Sequence, residues 1–163
     1  GPASGVADLD AADLEQVSNE TMEAVIAANI DHPEINGMRL ALAGRYVVES
    51  NYGAAIGHYL GVAESPAASD AQRVVALVQM GRLVWDGNAE AELAIGLFDQ
   101  ALEVNPESVP ALYHKAIVAW CGLGDFETAS ALLTEVLELE SSPDLAGAAE
   151  DSLAAVLNGE ACT

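Results

Sequence analysis

Three histidines, two cysteines and one run of alternating oxygen side chains are the residues of this chain whose types could do chemistry. His32, His58 and His114 fall on a connection and on two different helical segments. No His-Glu-x-x-His, Gly-x-Ser-x-Gly or phosphate-cradling glycine loop surrounds them. They read as surface or interface residues rather than as metal ligands or general bases. Asp86-Gly87-Asn88-Ala89-Glu90-Ala91-Glu92 sets oxygen side chains at alternate positions, as a calcium loop does. Ala91 stands where that loop needs glycine, and Leu97 where it needs a bidentate glutamate. A turn leading into an acid-rich helix start accounts for the run better. Cys121 and Cys162 fit neither a metal spacing nor a redox pair. Cys121, within a helical segment, reads as a small buried apolar residue. Cys162, one residue from the end, reads as mobile. A bridge between them is open in an oxidising compartment, but nothing in the sequence requires it. The expectation is a chain with no catalytic residue, no metal and no cofactor.

Composition narrows the class further. The 163 residues suit one domain of ordinary size, 52% are hydrophobic and only 5% aromatic. Much of the apolar content is alanine, which suits close-packed helices better than a β-sandwich. The 26 acids against 5 Lys and Arg give a net charge of −21. A nucleic-acid binder needs a cationic footprint for phosphates, and an anionic membrane surface attracts cations; both partners are excluded on charge. The acid excess reads as a solvated exterior. No apolar run approaches the about 18 residues of a membrane helix. Gly1-Pro2 reads as the scar of a cleaved tag, so residues 1–4 are set aside, and the chain reads as a soluble piece of a longer protein.

The elements that would position these residues are all helical. Asp10 to about Asn29 forms a first helix with Ala11, Leu14, Val17, Met22, Val25 and Ile26 on its apolar side, weakened in the middle by Ser18-Asn19. Residues 5–35 then make an N-terminal cap with its connection, closed at Asp31-His32-Pro33. Three helix pairs come next, over about 36–69, 70–108 and 109–142. The first turns at Ser50-Asn51-Tyr52, the second at Asp86-Gly87-Asn88 and the third at Gly124-Asp125-Phe126. Asp70 is the expected N-cap of the second pair. A last helix, about Asp144 to Leu157, forms a C-terminal cap within 143–163. Ala55, Ala94 and Ala129 let paired helices approach closely, and Tyr46, Tyr59, Phe98, Trp120 and Leu133 fill the gap to the next pair.

The third pair carries Tyr113, Ala116 and Trp120, the Gly124-Asp125-Phe126 turn, then Ala129, Leu133 and Val136. Those residues and spacings resemble the tetratricopeptide repeat, a helix pair of about 34 residues. The first two pairs depart from it: Arg39 and Leu77 stand where the first aromatic belongs, and the second lacks the Gly-Asp-Tyr turn. The resemblance implies an all-α, TPR-like right-handed superhelix of about three helix-turn-helix repeats between N- and C-terminal capping helices. It also implies a scaffold that holds other chains. A narrower resemblance rests on Leu40-Ala41-Leu42-Ala43-Gly44-Arg45-Tyr46, Tyr52-Gly53-Ala54-Ala55-Ile56, His58-Tyr59, Ala63-Glu64 and Asp86-Gly87-Asn88-Ala89-Glu90. These are similar to the soluble repeat domains of bacterial cytochrome c biogenesis factors. That likeness implies a membrane-anchored parent, an extracytoplasmic location and capture of apocytochrome c by its C-terminal helix.

In the tetratricopeptide family the first helix of each pair lines a concave face. Carried over, that face has Leu40, Gly44, Val47 and Val48 from the first pair. The second contributes Val75, Val78, Arg82 and Trp85, and the third Ala111, His114, Lys115, Val118 and Cys121. Such a trough suits a helical peptide with an apolar stripe, with Trp85 either its anchor or packed against its own turn. All five basic residues, Arg39, Arg45, Arg73, Arg82 and Lys115, fall on first helices or their first turns. A cationic strip on an anionic body would steer in an acidic segment. The alternative is local pairing of Arg45 with Glu49, Arg82 with Asp86 and Asp70 with Arg73. Of the carboxylate clamp that binds chaperone tails in some relatives, only Lys115 matches, so such a tail is not the expected ligand. The expected function is a non-catalytic protein-interaction module for a peptide or helical segment. The alternative is a structural or homo-oligomerising module of a larger membrane-anchored protein.

Overall fold

The computed structural model describes residues 15–139 and 142–162. Among them are eight α-helices and no strand: α1 (Asn19–Ala28), α2 (Ile35–Val48), α3 (Tyr52–Glu64), α4 (Asp70–Asn88), α5 (Ala91–Val104), α6 (Val109–Leu123), α7 (Phe126–Glu138) and α8 (Pro143–Leu157). None is long and apolar enough to cross a membrane. The residues fall into two compact units divided after Ala76, within α4.

The first unit holds α1, α2, α3 and the start of α4. Met22, Val25 and Ile26 of α1 are packed against Ile35, Met38 and Leu42 of α2, with Val17 and Tyr46 at the edge of this core. Ala55, Tyr59 and Val62 are the buried apolar residues of α3. The first helix is shorter than its hydrophobic pattern. Ser18, read as a weak point, accepts from the Thr21 amide and starts α1. Asp10 to Leu14 lie outside the described residues. The start of α4 also differs from expectation. Ser69, not Asp70, closes it, through a reciprocal capping box with Gln72: the Gln72 amide donates to Ser69 Oγ at 3.1 Å, and the Ser69 amide to Gln72 Oε1 at 2.9 Å.

The second unit holds the rest of α4 and α5 to α8. Leu112, Ala116 and Trp120 of α6, Ala129, Leu133 and Val136 of α7, and Ala149 and Val156 of α8 form its core. Glycines admit large rings at two close crossings. A Cβ added to Gly81 would lie 2.5 Å from Phe98 Cε1, and Phe98 is fully buried. One on Gly122 would lie 2.7 Å from Ala91 Cβ and 3.0 Å from Trp85 Cη2.

Each helix pair turns through one residue of left-handed backbone: Ser50 at φ 61°, Ala89 at φ 53° and Gly124 at φ 62°. Only the third is glycine, which adopts this conformation without a Cβ clash. The residue after it starts the next helix. Asn51 accepts from the Ala54 amide and Asp125 from the Thr128 amide, whereas Glu90 makes no side-chain cap. The expected turn at Asp86-Gly87-Asn88 is therefore not a turn. Those residues continue α4, and Ala89 takes the reversal. The alternating oxygens that resembled a calcium loop are thus partly helical, a geometry that does not gather them around one ion.

Cys121 and Cys162 are joined in a disulfide across a sequence separation of 41. This corrects both cysteine readings: Cys121 is bridged, and Cys162 is held. By chain entropy alone, closing a loop of that length stabilises by about 4 kcal/mol.

Relief of the left-handed alanine or serine removes about 1–2 kcal/mol of steric cost, against about 0.4–1 kcal/mol of added unfolded-chain entropy. Ser50→Gly and Ala89→Gly should each gain about 0.5–1 kcal/mol, read as a higher urea midpoint. Gly81→Ala should lose about 1–3 kcal/mol, because the buried Phe98 ring has nowhere to move.

Candidate functional site

The sequence spread its candidate residues over three first helices, which belong here to both units, so each unit is taken by itself. In the first, Leu40 and Val47 of α2 are half-buried, and Val48 is 86% exposed. A Cβ on Gly44, between them on the same helix face, would meet nothing within 4 Å. This face is open and apolar.

Behind that helix lies a polar cluster that no sequence pattern indicated. His58 of α3 is 9% exposed. Arg39 Nε donates to its Nδ1 at 3.3 Å, which leaves the proton on Nε2, 2.5 Å from Glu23 Oε1 of α1. The Tyr46 hydroxyl donates to the same carboxylate oxygen at 3.0 Å, and its ring stacks on His58 with centroids 6.0 Å apart. Burial pushes the Glu23 carboxyl up, but the hydrogen bonds from His58 and Tyr46 and the nearby charges outweigh it and hold it below its ordinary value. Burial lowers Arg39, opposed by Glu23, and burial together with the bond to Glu23 raises Tyr46. The Arg39 guanidinium lies where a Gly61 Cβ would be, so α3 admits it only because residue 61 has no side chain. The cluster joins α1, α2 and α3 and is structural in geometry: its groups satisfy one another.

In the second unit, His114 of α6 is half-buried, stacked on Phe98 at 6.1 Å and edge-on to Tyr113 at 5.2 Å. Burial, then the charge of Arg82, lowers it from near 6.5 to about 4. At neutral pH this imidazole is uncharged. Arg82 is exposed. The acceptor it meets among the described residues is the neutral Gln79 Oε1, at 3.5 Å.

The other four cations have internal duties. Arg39 serves His58, and Arg45 donates to the Val17 carbonyl and to Asn19 Oδ1. Arg73 donates to the Ser65 carbonyl at 3.1 Å and pairs with Asp70 at 3.4 Å. Lys115, half-buried, pairs with Asp99 of α5 at 2.7 Å. Trp85 is half-buried over Gly122, so its ring serves the crossing of α4 with the end of α6. Val78 and Val118 are 4% and 2% exposed and Ala111 is fully buried, so these three are packing residues in this structure. Of the predicted face in this unit, Arg82 is exposed, and Trp85, His114, Lys115 and Cys121 are half-buried. Among the described residues no group of three His, Cys, Asp or Glu could hold a metal ion.

No family model matches the sequence, and neither does a curated protein. Among solved structures the chain is similar to a tetratricopeptide repeat protein from Parabacteroides merdae, with a TM-score of 0.69 over 90% of this chain at 18% identity. The chain spans 55% of that protein's length. At this identity the likeness is one of fold, and it carries nothing about cytochrome c biogenesis.

A histidine whose folded pKa lies below its unfolded value stabilises the chain fully above the unfolded pKa, and that contribution is lost as pH falls through the window. For His114 the window runs from near 6.5 down to about 4. Thermal melts at pH 7 and pH 4.5 should show a drop in the wild type that is smaller in His114→Phe. The fold established by these helices and this structural likeness is an all-α, TPR-like helical repeat.

Proposed function

We propose that the chain is a non-catalytic protein-interaction module that takes a helical or extended segment bearing carboxylates on its first-helix faces. A TPR-like helical repeat is typically a scaffold, and a protein is the class of partner it suits. The observation that carries the finer reading is Arg82. In a chain of net charge −21 it is an exposed cation whose described acceptor is a neutral amide, beside a neutral His114. A partner carboxylate on Arg82 would gain a charge-assisted bond with no internal ion pair to break. In the first unit the open Leu40, Gly44, Val47 face would take apolar side chains. The disulfide suits an oxidising compartment, in keeping with the extracytoplasmic location that the narrower resemblance implies. An apocytochrome c segment is one client with the required helical character.

The test is calorimetry with a synthetic amphipathic helical peptide carrying an apolar stripe and flanking glutamates. It should bind the wild type at least about tenfold more tightly than Arg82→Glu, a difference of about 1.4 kcal/mol. Added salt should weaken the wild-type complex. Equal affinity for the two proteins, with unchanged helicity, removes Arg82 from the site.

A second reading has one observation in its favour. Leu157, at the end of α8, is 69% exposed, a large apolar side chain on a terminal helix. Self-association through that end would cover it. Light scattering at rising concentration separates monomer from dimer, and Leu157→Glu should abolish any dimer that forms.

A further inference from the structure

The segment after α8 turns back onto α6. Gly159, at φ 68°, turns the chain out of the helix. Its amide donates to the Val156 carbonyl at 3.0 Å and that of Glu160 to the Ala155 carbonyl at 2.9 Å, the paired bonds of a Schellman ending. The segment then meets α6 twice. The Trp120 indole Nε1 donates to the Glu160 carbonyl at 3.0 Å, and Cys162 is bonded to Cys121. Every residue from Leu157 to Cys162 is exposed. None of them belongs to the apolar core formed by α6, α7 and α8.

We propose that residues 160–162, beyond the cap of α8, are a thiol-releasable strap over the end of α6, freed by reduction of the Cys121–Cys162 bridge while α6, α7 and α8 stay folded. Every strap residue is exposed, so its hold on α6 rests on the two tethers, the Trp120 hydrogen bond and the disulfide. One hydrogen bond does not repay the entropy of fixing several residues, so loss of the covalent tether releases the rest. Cys162 is exposed and Cys121 half-buried, which makes Cys162 the sulfur open to attack. A low-molecular-weight thiolate attacks Cys162 Sγ and forms a mixed disulfide with it. The electrons of the broken sulfur–sulfur bond leave on Cys121 as a thiolate. A second thiolate then attacks the small-molecule sulfur, which leaves as a symmetrical disulfide and frees Cys162. Release uncovers the Trp120 donor and the Cys121 thiol. Cys121 lies two helical turns from His114 on the same side of α6, so the strap closes one end of the proposed docking face. That consequence rests on the proposed function; strap release itself does not.

NMR on the intact chain, before and after dithiothreitol, tests the release. On reduction, the heteronuclear NOEs of Ala161 and Cys162 should fall to flexible values, and the Trp120 indole proton should exchange at least about tenfold faster. Amide dispersion and protection across α6, α7 and α8 should persist. Cys162→Ser should reproduce the reduced spectrum. Two outcomes overturn the proposal. Unchanged NOEs after confirmed reduction would mean that the segment holds itself. Loss of dispersion throughout the second unit, or a Cys162→Ser chain that does not fold, would make the bridge a staple of the core.

Discussion

Everything in this molecule depends on helices approaching closely where the side chain between them is absent or a single methyl. Ala55, Ala94 and Ala129 are all fully buried. Each holds the corresponding place on the second helix of its pair, and a larger residue there would hold the pair apart. The same constraint appears at Gly81 under Phe98 and at Gly122 under Trp85 and Ala91. The space left by the small residues is filled by large ones four positions on: Tyr59, Phe98 and Leu133 are 5%, 0% and 0% exposed. Small residues set the spacing and large residues lock it, which is why a chain with so few aromatics can still pack a core.

That alternation is also why the fold was legible. The Ala and aromatic spacings are local, recur in every pair, and have one architectural reading. The third pair was the clearest because its turn combines a glycine for the left-handed position with an aspartate for the cap. The second pair misled. Asp86-Gly87-Asn88 has turn composition, yet α4 runs through it, and Ala89 accepts the left-handed backbone. Composition predicts where a helix can end; the length needed to reach the next packing position decides where it does. At the first helix the error ran the other way, since Ser18 was weighed as a helix interior when its hydroxyl was capping a start.

The candidate site was less legible because its features are long-range. Charge counting found five cations on first helices and the local Asp70–Arg73 pair, which forms, but could not show that Arg39, Arg45 and Lys115 are held by a histidine, a carbonyl and an acid on other segments. Arg39 meets His58 of another helix, and Lys115 meets Asp99 rather than any acid on its own helix. Only the three-dimensional arrangement shows that, among the described residues, Arg82 meets a neutral amide. Helical periodicity likewise placed Val78 and Val118 on the first-helix side without telling groove from core, because a half-turn of difference separates a lining side chain from a packed one. The disulfide could not be derived either, since two cysteines far apart in sequence carry no geometry until the tail is placed.

Helices α1 and α8 are sealed by different chemistry, and the difference arises from the residues each one buries. In the first unit α1 contributes Met22, Val25 and Ile26 to the core, and its carboxylate Glu23 also enters the His58–Arg39–Tyr46 cluster. Because Glu23 titrates below its ordinary value when folded, its contribution is present above the unfolded pKa and is lost as pH falls through the folded one. In the second unit α8 buries the smaller Ala149 and Val156 and has no comparable polar cluster among the described residues. The tail beyond α8 is instead fastened by a covalent bond that acid does not titrate and thiols can open. Acid therefore acts on the seat of α1 through Glu23 and on the second unit through His114, whereas the bridge at the segment after α8 answers to reductant.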